Sequence, residues 1–177
     1  IMGNAPLQDG LLERLFVTPA VLAGYPAPKQ LEAPPHTLTI LGETKDGRVL
    51  EATSDTVQHW TDMQRAAQQD GIQLEVLSAF RSIDYQRQLI ARKLDRGDPP
   101  NQILQVVALP GYSEHHTGYA LDIVTTAYPE LTEDFELSEG FAWLSHSAHQ
   151  FGFFLSYPRD NPWGFIYEPW HWCFKPA

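Results

Sequence analysis

Ser113-Glu-His-His-Thr-Gly-Tyr-Ala-Leu-Asp122 is the stretch of this 177-residue chain on which its reading turns. Thr117-Gly118 reads as a turn, and residues 119–124 as a strand with small side chains just before it. His115 and Asp122 stand seven apart across that turn. Asp122 shares a strand face with Ala120, because alternate residues of a strand point the same way. A small residue beside a carboxylate leaves room for an ion and its water, and imidazole with carboxylate is a donor pair that suits Zn²⁺. A His and an Asp at this spacing also arise by chance, so the stretch by itself reads as well as a turn with a surface His and a hydrogen-bonded Asp.

Outward from this strand, residues 73–80, 153–156 and 170–174 read as further strands. Residues 37–41 and 48–52 pair as a hairpin around Asp46-Gly47. Helices are expected over 9–16, with Leu11, Leu12, Leu15 and Phe16 on one side, and from a Ser54 or Asp55 cap to Asp70. In the latter, Val57, Trp60, Met63, Gln64 and Ala67 form the apolar stripe. Further helices are expected from Ser82 or Asp84 to Arg96, over 101–108, and over 139–150 behind a Ser138 cap. Strands mixed with helices, without regular βαβ alternation, predict an α+β fold: one domain over 1–177, a mainly antiparallel sheet with flanking helices, and a zinc site in a cleft on the sheet. Residues 1–50 read as an N-terminal extension without motifs. Pro26, Pro28, Pro34 and Pro35 mark an irregular connector within it.

Composition narrows the function. Apolar residues make up 43% and the aromatics number 5 Trp, 7 Tyr and 9 Phe, too many rings to leave solvated. No apolar run approaches the roughly 18 residues that span a bilayer, so no membrane partner is expected. A net charge of −10 disfavours a phosphate backbone, so no nucleic acid partner is expected either. Cys173 is the single cysteine, which excludes an internal disulfide. Residues 3–16 lack a basic segment followed by an apolar run, and Met2 sits where a start codon would. The expectation is therefore a cytoplasmic protein, or an envelope one if a signal was trimmed.

Two further stretches carry chemistry. Glu168-Pro-Trp-His171 offers a third ligand in His171, and Pro169 pushes Glu168 into an extended conformation, from which it can face an ion's water without binding the ion. Two imidazoles, one carboxylate ligand and one spare carboxylate complete the inventory of a metallohydrolase: three ligands and a general base. In Ser78-Ala-Phe-Arg-Ser-Ile-Asp-Tyr-Gln86, Arg81 ends a strand and Gln86 lies in the first turns of a helix. A guanidinium fork there suits a carboxylate or a developing oxyanion. Elsewhere His116 is expected exposed, and His146 and His149, at i and i+3, are expected structural. Tyr157 is a weaker candidate to reach the cleft.

Ser-x-His-x-x-Gly-x-Ala-x-Asp (113–122), followed by Glu-Pro-Trp-His-Trp (168–172) and preceded by Ala-Phe-Arg-Ser-x-x-Tyr-Gln (79–86), resembles the VanY-type D-alanyl carboxypeptidases. These are zinc peptidases of the group that also holds VanX dipeptidases and hedgehog-like domains. The resemblance covers about residues 74–174, the motif-bearing core. It implies one Zn²⁺ held by His115, Asp122 and His171, with Glu168 as general base. It also implies that Arg81, Gln86 and Ser113 hold a terminal D-Ala, with Arg81 helping to stabilise the oxyanion, and that Trp170 lines the pocket. The implied substrates are peptidoglycan stem peptides. Cys173 departs from the pattern, because the family usually has Arg there; a small buried thiol is expected in its place. The family covers both the D-Ala–D-Ala bond of pentapeptides and the L,D bond of tetrapeptides. A cytoplasmic enzyme cutting the former would damage the cell's own wall precursor, so L,D-carboxypeptidase activity in murein recycling is the expectation and D,D activity the alternative. A non-catalytic zinc- or peptide-binding module is a further alternative, although such a module has no need of Glu168 or Arg81.

Overall fold

The strand that ends the decisive stretch lies inside a sheet and is buried along its whole length, which is why Ala-Leu-Asp-Ile-Val carries one charge among apolar residues. In the computed structural model, which describes residues 10–177, the strands are β1 (Leu38–Glu43), β2 (Val49–Thr53), β3 (Glu75–Ser78), β4 (Ala120–Val124), β5 (Phe153–Leu155) and β6 (His171–Phe174). The helices are α1 (Leu11–Arg14), α2 (Pro19–Ala23), α3 (Ser54–Gln69), α4 (Ile83–Asp95), α5 (Pro100–Val106) and α6 (Glu139–Ser147). Strands β3, β4, β6 and β5 form one antiparallel sheet in that order, while β1 and β2 form a separate antiparallel hairpin. The expected α+β architecture is the observed one. No helix among the described residues is long and apolar enough to cross a membrane.

Leu121 and Ile123 of β4 join the main core, with Trp60, Met63 and Ala67 of α3, Leu144 of α6 and Phe153 of β5. A second cluster joins Leu11, Leu15 and Val17 to Ile90, Ile103, Val107 and Leu109. Residues 11–17 of the motif-free N-terminal segment are therefore packed against α4 and α5. Beyond α2 it runs as a strap along the loop that precedes the metal motif. Leu109 N–H donates to the Tyr25 hydroxyl at 3.2 Å. Gln30 N–H donates to Gly111 C=O and Ala33 N–H to His116 C=O, both at 2.8 Å.

Several boundaries differ from the sequence reading for local reasons. The cap of α3 is Thr53, neither Ser54 nor Asp55: Thr53 leaves β2 extended and its hydroxyl accepts from Thr56 N–H. Strand β3 is shorter than 73–80, because Leu74 C=O accepts from the Gln64 side chain, while Phe80 N–H and Arg81 N–H leave the sheet to reach Glu51 and His115. The helix read over 9–16 reduces to α1; residue 9 lies outside the described residues. Phe16 reverses the chain at φ 58 and is 79% exposed, so it does not join Leu11 and Leu15 on a buried side. Helix α6 gives way to a 3₁₀ turn at Ala148–Phe151, ahead of the expected end at 150.

Candidate metal centre

Strand pairing brings two of the candidate ligands together. Asp122 on β4 and His171 on β6 are separated by 48 residues of chain, yet they are directly opposed across the ladder. His115 arrives from a 3₁₀ turn at Glu114–Thr117, where the Ser113 hydroxyl accepts from His115 N–H at 3.2 Å. Gly118 then swings the chain into β4 with φ +75, a conformation that favours glycine. His115 Nε2 lies 3.2 Å and His171 Nδ1 3.3 Å from Asp122 Oδ1. One ligand atom from each residue falls within 4.8 Å of the others, and all three residues are buried. No other such group occurs among the described residues; His146 and His149 are exposed on α6 and the turn after it.

The two imidazoles present different nitrogens to this point because their far sides are engaged. His115 Nδ1–H donates to Ala79 C=O at 2.7 Å, which leaves Nε2 facing inward. His171 Nε2–H donates to Glu114 Oε2 at 2.9 Å, which leaves Nδ1 facing inward. His115 Nε2 and Asp122 Oδ1 are buried with no hydrogen-bond partner, because with its proton on Nδ1 the ring turns a lone pair, not an N–H, toward the carboxylate. Buried polar atoms left unpaired are costly, and a divalent cation satisfies both at once. The residues present therefore fit a zinc ion. Burial, reinforced by the Arg81 charge, pushes His115 down to about 4, so it is neutral and available as a ligand. Burial opposes the charge on Asp122, yet His115 and His171 hold its carboxyl well below the usual carboxylate range. Burial also opposes the charge on His171, but the Asp122 and Glu114 carboxylates overcome it and raise the ring to about 10.

Glu168 stands beside the group rather than in it. Its Oε2 lies 3.5 Å from His171 Nδ1, and its backbone N–H is held by Tyr157 C=O. Burial pushes its carboxyl up to about 7, aided by the Asp122 charge and opposed by His171. Arg81 is tied to the centre through its backbone N–H, which donates to His115 C=O, and its Nε is buried without a partner. Gln86 is buried in α4 with its amide N–H on Ala108 C=O and Oε1 unpaired. Trp170 is packed in the main core, and its C=O accepts from Ile123 N–H.

One residue stands differently from the sequence reading, and two others add to it. His116, expected exposed, is fully buried: Nδ1 donates to Arg81 C=O at 2.7 Å and Nε2 accepts from Gly111 N–H at 3.1 Å. Glu114 carried no expectation, because the role of a lone Glu depends on what lies across the fold from it. The Tyr157 ring lies against His171 at 4.6 Å between centroids. Cys173 is a buried thiol, as read, and burial pushes it up and away from the thiolate.

Two imidazoles and one carboxylate converging on an antiparallel sheet, with a spare carboxylate alongside, are the donor set and base that a mononuclear hydrolytic metal centre uses. The family model for VanY, D-alanyl-D-alanine carboxypeptidase, matches residues 50–177, and the chain belongs to that family. YodJ of Bacillus subtilis (strain 168), named as a carboxypeptidase, is 33% identical over 115 residues, which are 60% of this chain and 40% of YodJ. The chain thus spans about two fifths of that relative's length. Among solved structures, the LD-carboxypeptidase LdcB is 27% identical with a TM-score of 0.72, over 84% of this chain and 74% of LdcB. A point mutant of the D,D-pentapeptidase VanY from a VanB-type resistance cassette, in complex with Zn(II), is 26% identical with a TM-score of 0.61, over 84% of this chain and 82% of that one.

Proposed function

We propose that the protein is a zinc carboxypeptidase that removes the C-terminal D-Ala of peptidoglycan stem peptides, acting on the L,D bond of the tetrapeptide. The observation that carries the reading is the buried convergence of His115, Asp122 and His171, with two inward atoms unpaired and Glu168 beside them. The likeness to the LD-carboxypeptidase LdcB, at a TM-score of 0.72, supports the L,D branch; the L,D-carboxypeptidase DacB, at 0.59, and VanYB in complex with D-Alanine-D-Alanine, at 0.62, do not separate the two branches, and the assay below decides between them.

His115 Nε2, Asp122 Oδ1 and His171 Nδ1 would hold the ion. When bound, zinc supplies Lewis acidity, which polarises the scissile carbonyl and acidifies a water. Burial keeps the Glu168 carboxyl near the pH at which it works, so it can take the proton of the attacking water and pass it to the departing amine nitrogen. Arg81 presents its fork to the terminal carboxylate of the leaving D-Ala, a pairing that fixes the last residue of the peptide. The Gln86 Oε1 left unpaired is an acceptor for a substrate N–H.

The test is to give purified protein the tetrapeptide and the pentapeptide, with and without a chelator, and to follow D-Ala release by mass spectrometry beside metal content. Tripeptide formation that is lost on chelation and restored by zinc is expected. In Glu168→Ala, zinc should stay bound while turnover falls ~10²-fold or more. Release from the pentapeptide alone overturns the L,D assignment, and metal-independent or absent release from both overturns the carboxypeptidase reading.

A further inference from the structure

We propose that Glu114 is a positioning residue of the metal centre, whose carboxylate selects the nitrogen that His171 turns toward the ion; this rests on the metal reading above. The two ligand imidazoles are oriented by different means. His115 is held by a backbone carbonyl, Ala79 C=O, which no substitution removes. His171 is held by a side chain, Glu114 Oε2, at 2.9 Å. Asp122 Oδ1 faces the other nitrogen of the same ring at 3.3 Å, so His171 stands between two carboxylates. With Nε2–H donated to Glu114, Nδ1 is the nitrogen left to face the ion, which would take the place of the proton there. A carboxylate partner also makes the ring a stronger donor than a neutral carbonyl would.

Glu114 is itself fixed. The Ser156 hydroxyl donates to the same Oε2 at 2.6 Å, just beyond β5. Its backbone C=O accepts from the Thr117 hydroxyl at 2.7 Å within the 3₁₀ turn. The position next to His115 in sequence therefore lets one short turn deliver one ligand and orient another. The Tyr157 ring lies 4.6 Å from the His171 ring between centroids, tilted by 53°, and so crowds a rotation that would swap the two nitrogens.

Zinc affinity of folded protein, measured by competition with a chromophoric chelator, tests this together with the visible spectrum of the Co²⁺-loaded form. Glu114→Ala should weaken zinc about 10–100-fold and change the Co²⁺ bands. Glu114→Gln keeps an oxygen that accepts from Nε2–H and should recover most of that loss. Glu114→Met, which retains the bulk without the oxygens, stands in for Ala should truncation prevent folding. Parental affinity with an unchanged Co²⁺ spectrum in the folded Ala or Met variant overturns the proposal. A Gln variant as weak as these also overturns it, because the acceptor would then not be what matters. Failure of the parent itself to bind zinc would instead sink the metal reading, a result distinct from both.

Discussion

Arg81 reaches the centre twice, and the two routes separate in a mutant. Its backbone N–H holds His115 C=O and survives any substitution but proline, whereas its guanidinium, with Nε buried and unpaired, is the group proposed above to take a substrate carboxylate. Arg81→Ala should leave zinc content unchanged and lower kcat/KM by about 10–100-fold, the worth of one charge-assisted hydrogen-bonded pair. Lys should restore little, since a point charge does not reproduce a fork. Assaying the C-terminal amide of the same peptide completes a cycle: the amide should be a poor substrate for the parent and lose little more in the variant. Equal losses on acid and amide would show that Arg81 does not meet the carboxylate. At this scale the convergence of His115, Asp122 and His171, with Glu168 beside them, was legible in sequence only from the 113–122 and 168–171 stretches taken together, since either alone has ordinary structural uses. Glu114 and His116 were not legible. Their partners, His171 and Gly111 with Arg81, are chosen by the register of β4 on β6 and by the path of the loop.

Elements were legible in kind and less so at their ends, because ends are decided by tertiary partners. Thr53 caps α3 only because β2 delivers it there, and the same residue explains the sensitivity of Gly118. A Cβ on Gly118 would lie 3.0 Å from Thr53 Cγ2 and 3.2 Å from Leu38 Cδ2, in a residue with φ +75. Gly111, with φ +92, has nothing within 4 Å of its would-be Cβ. Gly111→Ala should therefore cost only the left-handed strain, about 1–2 kcal/mol, and Gly118→Ala measurably more in urea unfolding. Equal costs would mean that the crowding at Gly118 is relieved without loss. The strap makes a separate prediction at Tyr25. Burial raises its phenol above the ordinary value of 10.0, and the Leu109 N–H bond only partly offsets this. The folded state thus keeps its proton where the unfolded state has lost it, so stability falls as pH rises above about 10. Tyr25→Phe should cost about 1 kcal/mol at pH 7 by orphaning Leu109 N–H. The gap between variant and parent should narrow above pH 10, as followed by urea midpoints across pH. A constant gap would show that Tyr25 does not hold the strap through its hydroxyl.

Across the whole molecule, the ion would act as a cross-link between parts that the chain joins only distantly. His115 and His171 are 56 positions apart, and the intervening chain contains β4, α6 and β5. Hydrophobic burial is split between the main core beneath the sheet and the second cluster of α1, α4 and α5, and the three ligands belong to the sheet side. A ligand that binds the folded state alone stabilises it by mass action, about 4 kcal/mol at a thousand times its dissociation constant. For a chain of this size that is on the order of 10 °C in Tm. Chelation should therefore lower Tm by about that much, and zinc should restore it. Asp122→Asn, which removes the carboxylate ligand while keeping the shape, should bring Tm near that of the chelated parent and make it indifferent to chelator. The loss should also be local. Amide exchange should speed up first in β4, β6 and the 114–117 turn, while Ile90 and Ile103, packed in the second cluster, keep their protection longer. If removing the metal leaves Tm and the exchange of β4 and β6 unchanged, the three side chains are held by the sheet alone, and the ion adds chemistry without adding stability.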